Sequence, residues 1–167
     1  MNKFIFIDID GCLNSDKYTE SELYKQATIG MSDAKIMLVA HHLHLDPNAL
    51  ELINGLVIRS NAKVILSSTW RFKYSPSEVT EMMKGRGAIF TIADSTPKYP
   101  SFNSHFTSRG EEITAYLDSL KKEAESFVII DDRNDMGNLK NNLVLTDPKY
   151  GITLSDVDKA LKILNVV

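Results

Sequence analysis

The chain has 167 residues, 43% of them hydrophobic and 25% charged, with a formal net charge of −3. That length supports one domain with its own core, and the single cysteine, Cys12, excludes an intrachain disulfide. The slight negative charge excludes a broad basic face for nonspecific nucleic-acid binding, though not a local basic patch at a phosphate site.

Residues 3–7, KFIFI, form a short apolar run suited to a strand buried on both faces. Residues 15–45 are mixed, without clear periodicity, and read as an insertion between core elements. Asp46-Pro47 reads as an N-cap and first helical turn. Leu50, Ile53 and Val57 continue at helical spacing, which predicts a helix over 47–60. AKVIL at 62–66 predicts a second strand. Ser75-Pro76-Ser77-Glu78 has capping-box spacing and opens a helix to about Lys84. AIFTIA at 88–93 predicts a third strand, and 94–107 a polar loop. Ser108-Arg109-Gly110-Glu111 is a second capping box, opening a helix through Ile113, Leu117 and Leu120. FVII at 127–130 and LVLT at 143–146 predict two further strands, and Ser155 to about Leu164 a last helix. Short apolar strands alternating with helices predict an α/β fold: a Rossmann-like three-layer sandwich around a five-stranded, mostly parallel sheet. One domain is expected over 1–167, with a small cap or flap around 15–45. There is no secretory pattern at the N-terminus and no apolar stretch of membrane-spanning length, so a cytoplasmic protein without membrane association is expected.

In an open parallel sheet, ligands bind beyond the carboxyl ends of the strands. The first strand runs into Asp8 and Asp10, the second into Ser67, Ser68 and Thr69, and the fourth into Asp131 and Asp132. Arg109 opens the helix just before that fourth strand. Four acids gathered at one edge repel each other, and a divalent cation among them is the economical explanation. Oxygen ligands favour Mg²⁺.

FIFIDIDGCLN, VILSS, Arg109 and VIIDD, in that order, resemble the four motifs of the haloacid-dehalogenase-like (HAD) phosphohydrolases. SSTWR at 67–71, RGEEI at 109–113 and LTDPKYGIT at 145–153 further resemble the HAD domains of RNA-repair proteins, and IIDDRND is similar to the 3′-phosphatase half of phage polynucleotide kinase. The resemblance implies that Asp8 attacks phosphorus to give an aspartyl-phosphate. It implies that Asp10 is the general acid and base, with its backbone carbonyl facing the metal. Ser67 would hydrogen-bond a phosphoryl oxygen, and Arg109 would supply positive charge, with Lys98 as the alternative cation. Asp132 would be a direct metal ligand, Asp131 its support and Asp135 an outer contact, so that Asp8, Asp10, Asp131 and Asp132 make up the metal set.

Around this centre Ser68, Trp70 and Arg71 are candidate substrate contacts. Ser68, one residue past Ser67 on extended backbone, points elsewhere. Trp70 either stacks a base at the pocket lip or packs in the core, and Arg71 either holds a second phosphate or lies on the surface. His41, His42 and His44 lack partners at metal-ligand spacing and are expected on a solvated, partly helical insertion. Cys12 reads as a packing residue. Gly11 permits a sharp turn, and Gly151 serves another.

Resemblance to minimally capped members implies an open pocket and a phosphorylated substrate as large as a nucleic-acid end. The reading is a Mg²⁺-dependent phosphomonoesterase acting on a polynucleotide 3′-phosphate or, alternatively, on a small metabolite or nucleotide, and the sequence does not separate the two. A noncatalytic HAD-like binding protein is the alternative of another class. The sequence leaves the oligomeric state open.

Overall fold

Lys3–Ile7 forms β1, and its unbroken Phe and Ile run follows from its place at the centre of a sheet covered on both faces. Odd and even positions serve different layers. Ile5 and Ile7 join one core cluster, and Phe4 and Phe6 the other. The computed structural model describes residues 2–98, 108–120 and 126–166.

The sheet adds β2 (Lys63–Leu66), β3 (Ile92–Ser95), β4 (Ser126–Asp131) and β5 (Leu143–Leu145) in the order β3-β2-β1-β4-β5. Every ladder in it is parallel. Successive strands step outward from β1 to β2 and β3, and the chain then returns to lay β4 on the other side of β1. The switch point therefore falls between β1 and β4, where such sheets open a crevice at their carboxyl ends.

Two layers of helix close the sandwich. On one face α4 (Pro47–Ser60), α5 (Pro76–Lys84) and α7 (Leu154–Ile163) bury Leu50, Ile53, Val79, Met83 and Leu161 against Ile5, Ile7, Val64, Leu66 and Ile130. On the other, α6 (Arg109–Ser119) buries Ile113 and Tyr116 against Phe4, Phe6, Ile65 and Ile129. The capping boxes at Ser75 and Ser108 are both formed, and Asp46 caps α4 with Pro47 in its first turn.

The third strand lies later than AIFTIA at 88–93. The Ile89 N–H donates to Asn54 Oδ1 and the Ile92 N–H to Thr80 Oγ1, so this backbone is spent on helices α4 and α5. Its ladder with β2 begins only at Ile92. The last residues of the predicted polar loop, 99–107, lie outside the described residues.

Residues 15–45 hold more regular structure than their composition suggests: α1 (Asp16–Thr19), α2 (Glu22–Ala27), α3 (Asp33–Val39) and a 3₁₀ turn at His41–His44. Ser15, Ser21 and Ser32 cap the three helices. Each is followed by an acid, a start signal repeated three times and missed because no apolar stripe follows it.

Candidate active site

The site forms where β1, β2 and β4 end side by side. The Asp8 N–H donates to the Ile130 carbonyl at 2.9 Å and the Ser67 N–H to the Ile7 carbonyl at 3.0 Å. Backbone pairing thus sets Asp8, Ser67 and Asp131 as neighbours on one edge. Asp8 is buried, and its Oδ1 accepts the Ile9 N–H at 2.8 Å.

Gly11, at φ +72°, turns the chain sharply after Asp10. A Cβ there would stand 2.5 Å from Asp132 Oδ2, so glycine is also what admits the Asp132 carboxylate. Gly151, at φ +67°, has a similar double role: its Cβ would meet the Cys12 carbonyl at 2.8 Å.

Asp8, Asp131 and Asp132 offer oxygens that all lie within 4.8 Å of one another. Burial, reinforced by the Asp8 charge, pushes Asp131 up to about 7 and raises Asp132 in the same way. The Oδ2 of Asp131 accepts no hydrogen bond among the described residues. Hard, crowded, incompletely satisfied oxygens fit a small divalent cation such as Mg²⁺. The Asp10 carboxylate stands outside this set. Its Oδ1 accepts from Asn14 Nδ2 at 2.8 Å and its Oδ2 from Trp70 Nε1 at 3.1 Å.

Arg109 enters the site fully buried from the first turn of α6, with Nη2 3.6 Å from Asp8 Oδ2 and Nε 3.4 Å from Asp131 Oδ2. Lys98, the alternative cation, is exposed. Gly110 is what lets this helix start so close: a Cβ there would stand 2.4 Å from the Met136 carbonyl oxygen. Ser67 Oγ and Arg109 Nη1 are buried donors with no hydrogen-bond partner among the described residues. Two such groups beside a carboxylate form a receptor for an oxyanion.

The structure places four more of the candidate residues, and only Arg71 departs from both of its readings. Arg71, expected at the lip or on the surface, is 1% exposed. Its Nη1 donates to the Ser67 and Ser68 carbonyls at 2.8 Å each, and its Nη2 pairs with Glu112. It buttresses the second strand's end, and its Nε has no hydrogen-bond partner among the described residues. Ser68 is also committed, because its Oγ accepts the Trp70 N–H and caps the 3₁₀ turn Thr69–Phe72. Trp70 is largely buried, with His41 stacked on it at 4.1 Å and 17° between planes, which covers the face a base would use. Asp135 holds the start of α6, its Oδ2 accepting the Arg109 N–H at 3.2 Å and pairing with Arg133.

The histidines are less solvated than expected. His41 and His44 are half-buried, and burial lowers the basicity of both. They share with Asp10, Asn14, Thr69, Trp70, Lys73 and Tyr74 the lining of an open cavity of about 390 Å³. Lys73 and Tyr74 were missed in sequence, and only their place just past SSTWR marks them. Cys12 is buried, with Sγ 3.1 Å from Thr146 Oγ1, and burial pushes its thiol up, as suits a packing residue.

A central parallel sheet with acids at two adjacent strand ends, a buried hydroxyl at a third and a buried arginine beside them defines a HAD-type phosphohydrolase fold. Residues 4–157 match the family described as the HAD domain in Swiss Army Knife RNA repair proteins, and the chain belongs to that family. No curated protein and no solved structure matches the chain. Among the described residues, no helix is long and apolar enough to cross a membrane.

Proposed function

We propose that the protein is a Mg²⁺-dependent phosphomonoesterase working through an aspartyl-phosphate, with a polynucleotide 3′-phosphate as its substrate. The observation that carries the reading is the pair of unpartnered buried donors, Ser67 Oγ at the strand end next to Asp8 and Arg109 Nη1, on the guanidinium whose Nη2 stands 3.6 Å from Asp8 Oδ2. Such donors are costly to bury unless a ligand satisfies them. A phosphoryl group accepts from both while presenting phosphorus to Asp8.

Asp8 forms a bond to phosphorus as the bond to the leaving oxygen breaks, and Asp10 gives that oxygen a proton. Water then attacks the aspartyl-phosphate, Asp10 takes its proton, and inorganic phosphate leaves with Asp8 restored. Ser67 and Arg109 hold the phosphoryl oxygens throughout. Asp8, Asp131 and Asp132 would hold Mg²⁺, which would supply positive charge against the nucleophile and the phosphoryl group. Asp10 lines the open cavity, which supports a leaving group seated there. The family's association with RNA repair and the openness of that cavity support a strand end as the leaving group.

The test is phosphate release with Mg²⁺ or EDTA from a 3′-phosphorylated oligonucleotide, a 5′-phosphorylated one and a panel of small phosphate esters. Release from the 3′-phosphorylated strand far faster than from the 5′-phosphorylated one or the small esters, lost in EDTA and in Asp8→Asn, is the expected result. Release from small esters alone keeps the mechanism and discards the polynucleotide. Undiminished hydrolysis by Asp8→Asn sinks the mechanism.

A further inference from the structure

Asp10 lies on an exposed loop, where a carboxyl group is free to rotate, yet an acid that protonates a leaving oxygen must be held in one orientation. One of its two ties is local. Asn14 donates to Oδ1, and the Oδ1 of Asn14 accepts the Gly11 N–H at 2.9 Å, so this partner moves with the loop. The other tie comes from outside it: Trp70, sixty residues away in sequence, donates from Nε1 to Oδ2.

The indole is itself clamped. Ser68 Oγ accepts its backbone N–H, Tyr74 packs at 5.8 Å between ring centroids, and His41 stacks flat on it. His41 is fixed in turn by a 3.2 Å hydrogen bond between Nδ1 and the Tyr74 hydroxyl.

We propose that Trp70 is a positioning residue for Asp10, and that the 15–45 insertion reaches the chemistry through it, with His41 holding the indole and the indole holding the carboxyl. The inference rests on Asp10 being the acid and base of the proposed function. An indole N–H donates and never accepts. It therefore keeps Oδ2 as the accepting oxygen and leaves Oδ1 to carry the proton, with the exposed Asn14 hydrogen bond the one that yields. The insertion is then part of the catalytic apparatus rather than only a cover, because its histidine sets the angle of a group it never touches.

Two measurements test this. Trp70 is the chain's single tryptophan, so its indole N–H gives one cross-peak in a ¹⁵N-correlated NMR spectrum. That peak is expected to lie downfield in the parent and to move upfield in Asp10→Ala. An identical peak in both proteins removes the hydrogen bond and overturns the proposal.

The second measurement compares kcat for an aryl phosphate, whose leaving group needs little protonation, with kcat for an alkyl phosphate, which depends on it. Trp70→Phe keeps the ring and loses the donor. It is expected to lower the alkyl-to-aryl ratio about tenfold, a part of the whole worth of general acid catalysis. His41→Ala is expected to lower the ratio in the same direction, and His41→Phe, which restores a ring over the indole, to recover most of it. A purely structural role lowers both rates together, and an unchanged ratio in Trp70→Phe overturns the positioning role while leaving the phosphatase reading standing. A parent protein that releases phosphate from neither ester nor the 3′-phosphorylated strand, with its indole peak still downfield, sinks the phosphatase reading and this role with it.

Discussion

Arg71 Nη2 and Glu112 Oε1 stand 2.5 Å apart, with the guanidinium 1% and the carboxyl 11% exposed. The other oxygen of Glu112 lies 3.9 Å from Arg109 Nε, so one carboxylate ties the arginine behind Ser67 to the arginine beside Asp8. Burial lowers the basicity of Arg71, and Glu112 works against that loss. Removing one partner of a buried pair leaves an uncompensated charge, which costs about 3–5 kcal/mol. Glu112→Ala is expected to lose stability on that order in urea unfolding, and Glu112→Gln, which keeps an acceptor, to lose less. Equal stability of Glu112→Ala and the parent would show that Arg71 finds another partner.

Asp8→Asn is expected to abolish turnover without unfolding the chain. Asp8 raises both Asp131 and Asp132, so removing its charge relieves repulsion in the metal-free protein. A gain of about 1 kcal/mol corresponds to a melting temperature about 2–4 °C higher at this size. Calorimetry in EDTA reads it, and a lower melting temperature would mean that Asp8 is needed more as a partner of Arg109 than it is opposed by the other acids.

The raised carboxyl of Asp131 makes metal-free stability depend on pH in a definite direction. Between the ordinary value of 3.8 and about 7 the folded chain keeps a proton that the unfolded chain has released. Stability contributed by this group therefore falls as pH rises through that window. In EDTA, Asp131→Asn is expected to flatten the slope of melting temperature against pH relative to the parent. Saturating Mg²⁺ is expected to flatten it in the parent as well, since a cation favours the ionised form. A parent slope that Asp131→Asn leaves unaltered would assign the dependence to other groups.

Two glycines should tolerate no side chain. Gly110→Ala sets a Cβ against the Met136 backbone, which cannot swing aside. The start of α6 must shift, and overpacking of this kind costs typically about 1–3 kcal/mol. Arg109 is displaced with it, so turnover is expected to fall further than stability alone explains. Gly11→Ala meets the Asp132 carboxylate and a left-handed backbone together, and is expected to weaken Mg²⁺ binding in calorimetric titration. Parent-like Mg²⁺ affinity in a folded Gly11→Ala protein would argue against Asp132 as a ligand.

The sheet and its acids were legible because their signals are local. An apolar run ending in polar residues names both a buried strand and its functional tip, as in KFIFI before Asp8 and VII before Asp131. The capping boxes at Ser75 and Ser108 placed two helices for the same reason. What failed was whatever depended on a partner distant in sequence. Arg71 reads as a surface residue until Glu112 is seen behind it. Trp70 is open to stacking or to packing in the sequence, and only His41, from a segment without periodicity, shows it packed. The third strand was placed too early because alternating burial at Ala88 and Phe90 imitates a ladder, while side chains of two helices take the backbone hydrogen bonds.

The central place of β1 also bears on how the chain is made. Synthesis delivers this strand before the others of its sheet, but its two ladders join it to Lys63–Leu66 and to Ser126–Ile130. Until Ser126 has left the ribosome, one edge of the apolar strand that carries Asp8 has no neighbour. Nascent chains released short of that point are expected to be protease-sensitive and prone to associate, and chains ending past β5 to resist digestion. Asp8 is thus made before its neighbours in the sheet and enclosed only once they arrive.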